Sequence, residues 1–199
     1  AEPPRDQHLF NRGTSFCWGS YTDQREGYVY EAGKSQAARD GWPFGGFQVD
    51  DVAVFKLEEQ QLSVRVQRLG QTFTIPTRGQ HNLRICVDLY GSAGNRVQVS
   101  RADAHELYET PQRGISEQAL TFGYCGPRAA GQGTSICSFN DAAQQGGAGA
   151  VGGDVLDPSA GPVFWKVAFL QRAGWISVGV IGEAEPPRDQ HLFNRGTSF

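Results

Sequence analysis

Residues 1–16, AEPPRDQHLFNRGTSF, return letter for letter as residues 184–199. A chain that closes on its own opening reads as one full period plus an overlap, like a circle cut open. Two origins give this pattern: a domain circularly permuted with the cut segment kept at both ends, or a stretch taken from an array of near-identical tandem domains. We favour permutation, which is tolerated where the cut falls in an exposed loop; Pro3-Pro4 and Asn11-Arg12-Gly13 give the segment loop chemistry. The original termini then lie inside the chain. Gln144–Gly153 (QQGGAGAVGG) has the composition of a flexible linker, and His105–Gly114 (HELYETPQRG) is the rival junction. The second is preferred, because Leu120–Phe139 reads as the opening strands of the same domain.

The 199 residues suit a single domain over 1–199 with its own core. Eighteen basic against 21 acidic residues leave a net charge of −3, which offers no general pull toward nucleic acid or an anionic membrane. No apolar run has the length of a membrane span, and Ala1–Phe10 has no signal-peptide pattern, so a soluble, cytoplasmic protein is expected. Cys17, Cys86, Cys125 and Cys137 are too few for a disulfide scaffold and include no C-x-x-C pair, so buried free thiols are expected. Twenty-six glycines with no methionine point to a loop-rich β protein and to a fragment whose start lies elsewhere.

Alternation with period two recurs along the chain. Leu62, Val64 and Val66 alternate with Ser63, Arg65 and Gln67; Leu83, Ile85, Val87 and Leu89 alternate with Arg84, Cys86, Asp88 and Tyr90. Val97 and Val99 follow a turn at 91–95. Trp165, Val167 and Phe169, then Ile176, Val178 and Val180, repeat the pattern on either side of a turn at 172–174, which reads as a hairpin. Apolar stripes at helical spacing are absent. The expected fold is all-β, a two-sheet antiparallel sandwich in permuted strand order with little or no helix.

Taken in circular order from about Ile115, the motifs VFWKVAFL (163–170), GWISVGVIG (174–182), FCWGSY (16–21), FQVDDVAVFKLE (47–58), LSVRVQRLGQTF (62–73) and LRICVDLYGSAGNRVQV (83–99) resemble the successive strands of the SPRY (B30.2-like) family. Val49 stands where that pattern carries a glycine before Asp50. The resemblance implies a bent β-sandwich without catalytic activity, acting as an adaptor that holds peptides or folded proteins with loops at one end of its sheets.

Catalytic chemistry finds little support. The distinct histidines are His8 (repeated as His191), His81 and His105, without an H-E-x-x-H partner or a G-x-S-x-G turn. Asp50-Asp51 and Glu58-Glu59 are adjacent, and neighbours on a strand point to opposite faces, so neither pair converges on one substrate. Gly146–Gly153 lacks the lysine and hydroxyl of a phosphate loop. No catalytic residue, metal or cofactor is expected, and the chain is read as a non-enzyme. Aromatic and arginine side chains in segments of loop composition are the better candidates, because such anchors bury large area at low entropic cost. Tyr21, Arg25, Tyr28, Tyr30, Arg39, Trp42 and Phe44 are therefore the expected ligand-binding set, with Trp18 assigned to the core. They would form a groove with the segment Ala1–Ser15 or its duplicate, preformed and nearly insensitive to salt, for a protein or peptide partner. A carbohydrate-binding jelly roll is the alternative and a hydrolase the third choice. The surplus copy of the repeat gives a route to self-association or domain swapping.

Overall fold

The computed structural model describes residues 14–20, 27–32, 34–36, 46–91, 94–108, 120–126, 129–132, 135–138 and 149–182. The strands in chain order are β1 (Ser15–Ser20), β2 (Gly27–Glu31), β3 (Lys34–Gln36), β4 (Val52–Glu58), β5 (Gln61–Val66), β6 (Gln71–Pro76) and β7 (Arg84–Gly91). They continue with β8 (Arg96–Arg101), β9 (Phe122–Cys125), β10 (Ala129–Gln132), β11 (Ser135–Ser138), β12 (Gly149–Gly152), β13 (Val163–Gln171) and β14 (Gly174–Ile181). One sheet runs β3-β2-β1-β14-β7-β12-β9 and the other β10-β11-β8-β13-β4-β5-β6, with antiparallel pairing throughout. Helical structure among the described residues is limited to 3-10 turns at Gln67–Leu69, Ala104–Leu107 and Pro158–Ala160.

The period-two pattern builds this sandwich directly. Phe16, Trp18, Ile85, Val87, Leu89, Ile176, Val178 and Val180 project inward from the first sheet. They meet Phe55, Leu57, Val64, Val97, Val99, Trp165, Val167 and Phe169 of the second in one core. Trp18, fully buried as expected, sets its ring edge-on to Phe55 at 6.1 Å, and Phe55 stacks on Trp165 at 5.2 Å with planes 4° apart. Each buried ring removes about 150–250 Å² from water, worth several kcal/mol, so this triad carries a large share of the core's stabilisation.

One expectation is corrected. β13 and β14 do not form a hairpin: β13 pairs with β4 and β8, whereas β14 pairs with β1 and β7 in the opposite sheet. The turn between them crosses from sheet to sheet and is held by side chains. Asn95 Oδ1 accepts the Ala173 amide at 2.8 Å, and Arg172 Nη2 donates to the Ser20 carbonyl at 2.9 Å. Within 144–153, the less favoured candidate junction, Gly149–Gly152 forms β12 between β7 and β9. Ala150 and Val151 of this strand are buried, and Ala150 pairs with Val87 on one side and Cys125 on the other. Of the rival junction, 105–107 belongs to a 3-10 turn and 109–114 lies outside the described residues.

The repeat has a definite place at its first copy. Ser15 and Phe16 begin β1, opposite Ile181 and Val180 of β14, and the Gly182 amide donates to the Thr14 carbonyl at 3.1 Å. The second copy, 184–199, lies outside the described residues.

Candidate functional site

The sandwich has two ends. Thr14 enters β1 at one and Ser20 leaves at the other, about 20 Å away by the rise of the strand. The segments 1–13, 21–26 and 37–45, to which most of the expected groove belongs, lie outside the described residues. Tyr21, Arg25, Arg39, Trp42 and Phe44 lie outside the described residues. Tyr28 and Tyr30 are strand residues of β2, not loop residues. Both pack on Trp175 on the outer face of the first sheet, at 5.5 and 6.1 Å between ring centroids, and Tyr30 is 7% exposed. Gly19, opposite Tyr28 in register, makes this possible. A Cβ there would collide with the Trp175 ring and would stand 2.9 Å from the Ser177 Cβ.

The Ser20 end is held by buried polar contacts. Ser20 Oγ accepts the Phe47 amide at 3.0 Å and Arg172 Nη2 at 3.1 Å. Burial pushes the Arg172 guanidinium below its ordinary pKa, an effect opposed by Asp51. The Asp51 carboxylate, buried, accepts Arg68 Nε at 2.9 Å, Arg68 Nη2 at 3.0 Å and the Gln48 amide at 2.7 Å, while Arg68 Nη2 also reaches the Gly46 carbonyl at 2.9 Å. Such bidentate pairing fixes orientation as well as distance. Asp50 takes the left-handed conformation (φ 68°) in the same turn.

At the Thr14 end, three connections that are remote in sequence enclose a groove of about 610 Å³: the β4–β5 turn, the loop 77–83 between β6 and β7, and the loop 153–160 after β12. Backbone bonds lock them together. The Thr77 amide donates to the Gln60 carbonyl at 2.9 Å, the Gln80 amide to the Thr77 carbonyl at 3.0 Å, and the Leu156 amide to the Leu83 carbonyl at 2.8 Å. Arg78, Gly79 and Asn82 all have positive φ, which winds loop 77–83 tightly. Asp157 Oδ1 accepts the Ser159 amide at 3.0 Å and caps the 3-10 turn at Pro158–Ala160. Buried Leu57, Leu83 and Leu156 line the groove, with Val155 beside them left 43% exposed. The polar lining includes Glu58, Glu59, Gln80, His81, Asn82 and Asp157. Lys56, at 2.7 Å, and then Gln61 hold the Glu58 carboxyl below its ordinary pKa, and the Ser159 hydrogen bonds do the same for Asp157. Glu58, Glu59, Gln60 and Pro158 also line an adjoining hollow of about 350 Å³ bounded by Pro162.

Of the expected binding residues, the two that are described, Tyr28 and Tyr30, do not line this groove. Of the positions singled out there, it takes His81 and the pair Glu58-Glu59. Its signal was available only as turn chemistry, in Arg78-Gly79 and Asp157-Pro158, separated by some eighty positions.

The most reactive side-chain types elsewhere do not assemble a catalytic set among the described residues. Cys17 lies 3.8 Å from Ser177 Oγ on the outer face of the first sheet, near Cys86 and Asp88, all buried. Burial pushes both thiols far above their ordinary pKa, against the activation that a cysteine nucleophile needs. No cluster of three or more potential metal ligands occurs among the described residues, and no helix there is long and apolar enough to cross a membrane. The chain matches no family model, and neither the curated proteins nor the solved structures include a significant match to it.

Proposed function

We propose that the chain is a non-catalytic recognition domain of the SPRY kind, permuted in strand order, that binds a peptide segment of a protein partner in the groove at the Thr14 end of its sandwich. The observation that carries this reading is the groove itself, a polar-lined cleft with buried leucines in its wall, on loops pinned by backbone hydrogen bonds. Groove volumes of about 300–1,000 Å³ with apolar surface and a few placed polar groups are typical of binding sites. Loops held this way begin near their bound geometry, so little ordering cost opposes binding. Among the described residues the groove lining holds no Trp, Tyr or Phe on which a sugar ring could stack, which weighs against the carbohydrate-binding alternative at this site.

Selecting binders from a random peptide display library on the full chain tests the proposal. Val155→Arg, at an exposed wall position, should abolish capture of the enriched peptides without changing the melting temperature. Equal capture by the variant would overturn the assignment of the groove.

A further inference from the structure

We infer that the groove is built for a basic, apolar peptide: an extended segment that places an aliphatic side chain against Leu57, Leu83 and Val155 and presents Arg or Lys next to it. This rests on the recognition reading above and specifies the partner for it. Glu58 and Glu59 line both the main groove and the adjoining hollow, so a ligand that runs from one to the other must pass two carboxylates. Asp157 is a third. Lys56 occupies Glu58, but neither Glu59 nor Asp157 has an ion pair among the described residues. The nearest guanidinium on loop 77–83, Arg78, is directed to Glu31 at 3.6 Å. A segment with acidic residues would meet uncompensated like charge at the crossing point, whereas an arginine there finds the exposed Glu59 carboxylate. Glutamines flank the same ridge at Gln60 and Gln61, and they supply hydrogen-bonding groups without adding charge of either sign. Pro158 and Pro162 stiffen the far wall of the hollow, which favours an extended ligand over one that must reshape the site.

The test is a fluorescence-anisotropy titration of the full chain with three acetylated hexapeptides: alternating arginine and leucine, the same with glutamine for arginine, and the same with serine for leucine. The arginine–leucine peptide should bind tightest and lose about tenfold in affinity on Glu59→Lys, less on Glu59→Gln, and a comparable factor when salt rises severalfold above the physiological range. The serine peptide should bind weakly at any salt concentration. If the glutamine–leucine peptide binds as well as the arginine one, is blocked by Val155→Arg and ignores Glu59→Lys, the charge inference is wrong while the recognition groove stands. If none of the three binds and display-selected peptides are indifferent to Val155→Arg, the groove reading falls and this inference falls with it. Glu59 is exposed in a turn, and matching melting temperatures for both Glu59 variants separate lost binding from lost fold.

Discussion

Phe16 stands at the point where the repeat meets the core, and its removal gives a quantitative test of which copy is structural. The ring is 2% exposed and belongs to the central cluster, while its backbone pairs with Val180 and Glu31 on either side. Phe16→Ala takes away most of an aromatic side chain that buries about 150–250 Å², and at about 25 cal/mol per Å² the loss is about 4 kcal/mol, within the range seen for such truncations. For a domain of this size each kcal/mol moves the melting temperature by roughly 2–4 °C, so the expected drop is roughly 8–16 °C. Phe199→Ala changes the identical residue of the second copy and should shift stability by no more than about 0.5 kcal/mol, because the slot opposite Val180 is already filled. Circular dichroism melts of both variants and the parent decide the matter. A Phe199→Ala variant that melts early while Phe16→Ala stays near the parent would show that the second copy supplies the strand, and the assignment of β1 would have to be reversed.

Gly19→Ala should cost about 1–3 kcal/mol, read by urea unfolding, because its methyl group collides with the Trp175 ring; combining it with Trp175→Leu should recover part of the loss. Asp51→Ala leaves Arg68 and the Gln48 amide without their acceptor and should destabilise by about 1–3 kcal/mol, with Asp51→Asn milder; an unchanged unfolding midpoint for the alanine variant would remove the network from the account of the Ser20 end. The Cys17 and Cys86 thiols have folded pKa values above the ordinary 9.0, so the folded state keeps protons that the unfolded state releases above that pH. Stability should therefore be intact below about pH 9 and fall as pH rises beyond it, by about 1.4 kcal/mol per unit and thiol, and the fall should shrink in a Cys17→Ala/Cys86→Ala variant. In native alkylation at pH 8, exposed Cys125 should react well before either buried thiol, although partial burial raises its pKa too.

The sandwich was legible because its strands alternate cleanly: every apolar position named in the runs 62–66, 83–89, 97–99 and 165–169 is buried in the single core. Pairing was less legible. A two-residue link after β13 looks like a hairpin in sequence, and nothing local says that Arg172 and Asn95 redirect it into the other sheet. Gly149–Gly152 has the composition of a flexible linker, whereas it is a strand whose pairing with β7 and β9 depends on residues remote in sequence. Tyr28 and Tyr30 read as loop aromatics in sequence but lie on β2, where Trp175, remote in sequence, packs against both rings. The groove is hard to see in sequence because three turns build it, each unremarkable alone, and its described lining has no Trp, Tyr or Phe. Only the register of β4, β7 and β12 brings them together.

The junction of β1 and β14 has a mechanical consequence. These strands are neighbours near the middle of the first sheet, and Thr14 and Gly182 emerge side by side from the same end of that pair. A load applied between those two residues acts across the strands, along the direction of their hydrogen bonds, and opens the rungs one after another instead of shearing them together. Tension transmitted at this point would peel the sheet like a zipper, beginning at Ser15 and Ile181. The same sandwich pulled through residues at opposite ends of one strand would load many bonds in parallel and resist far more force.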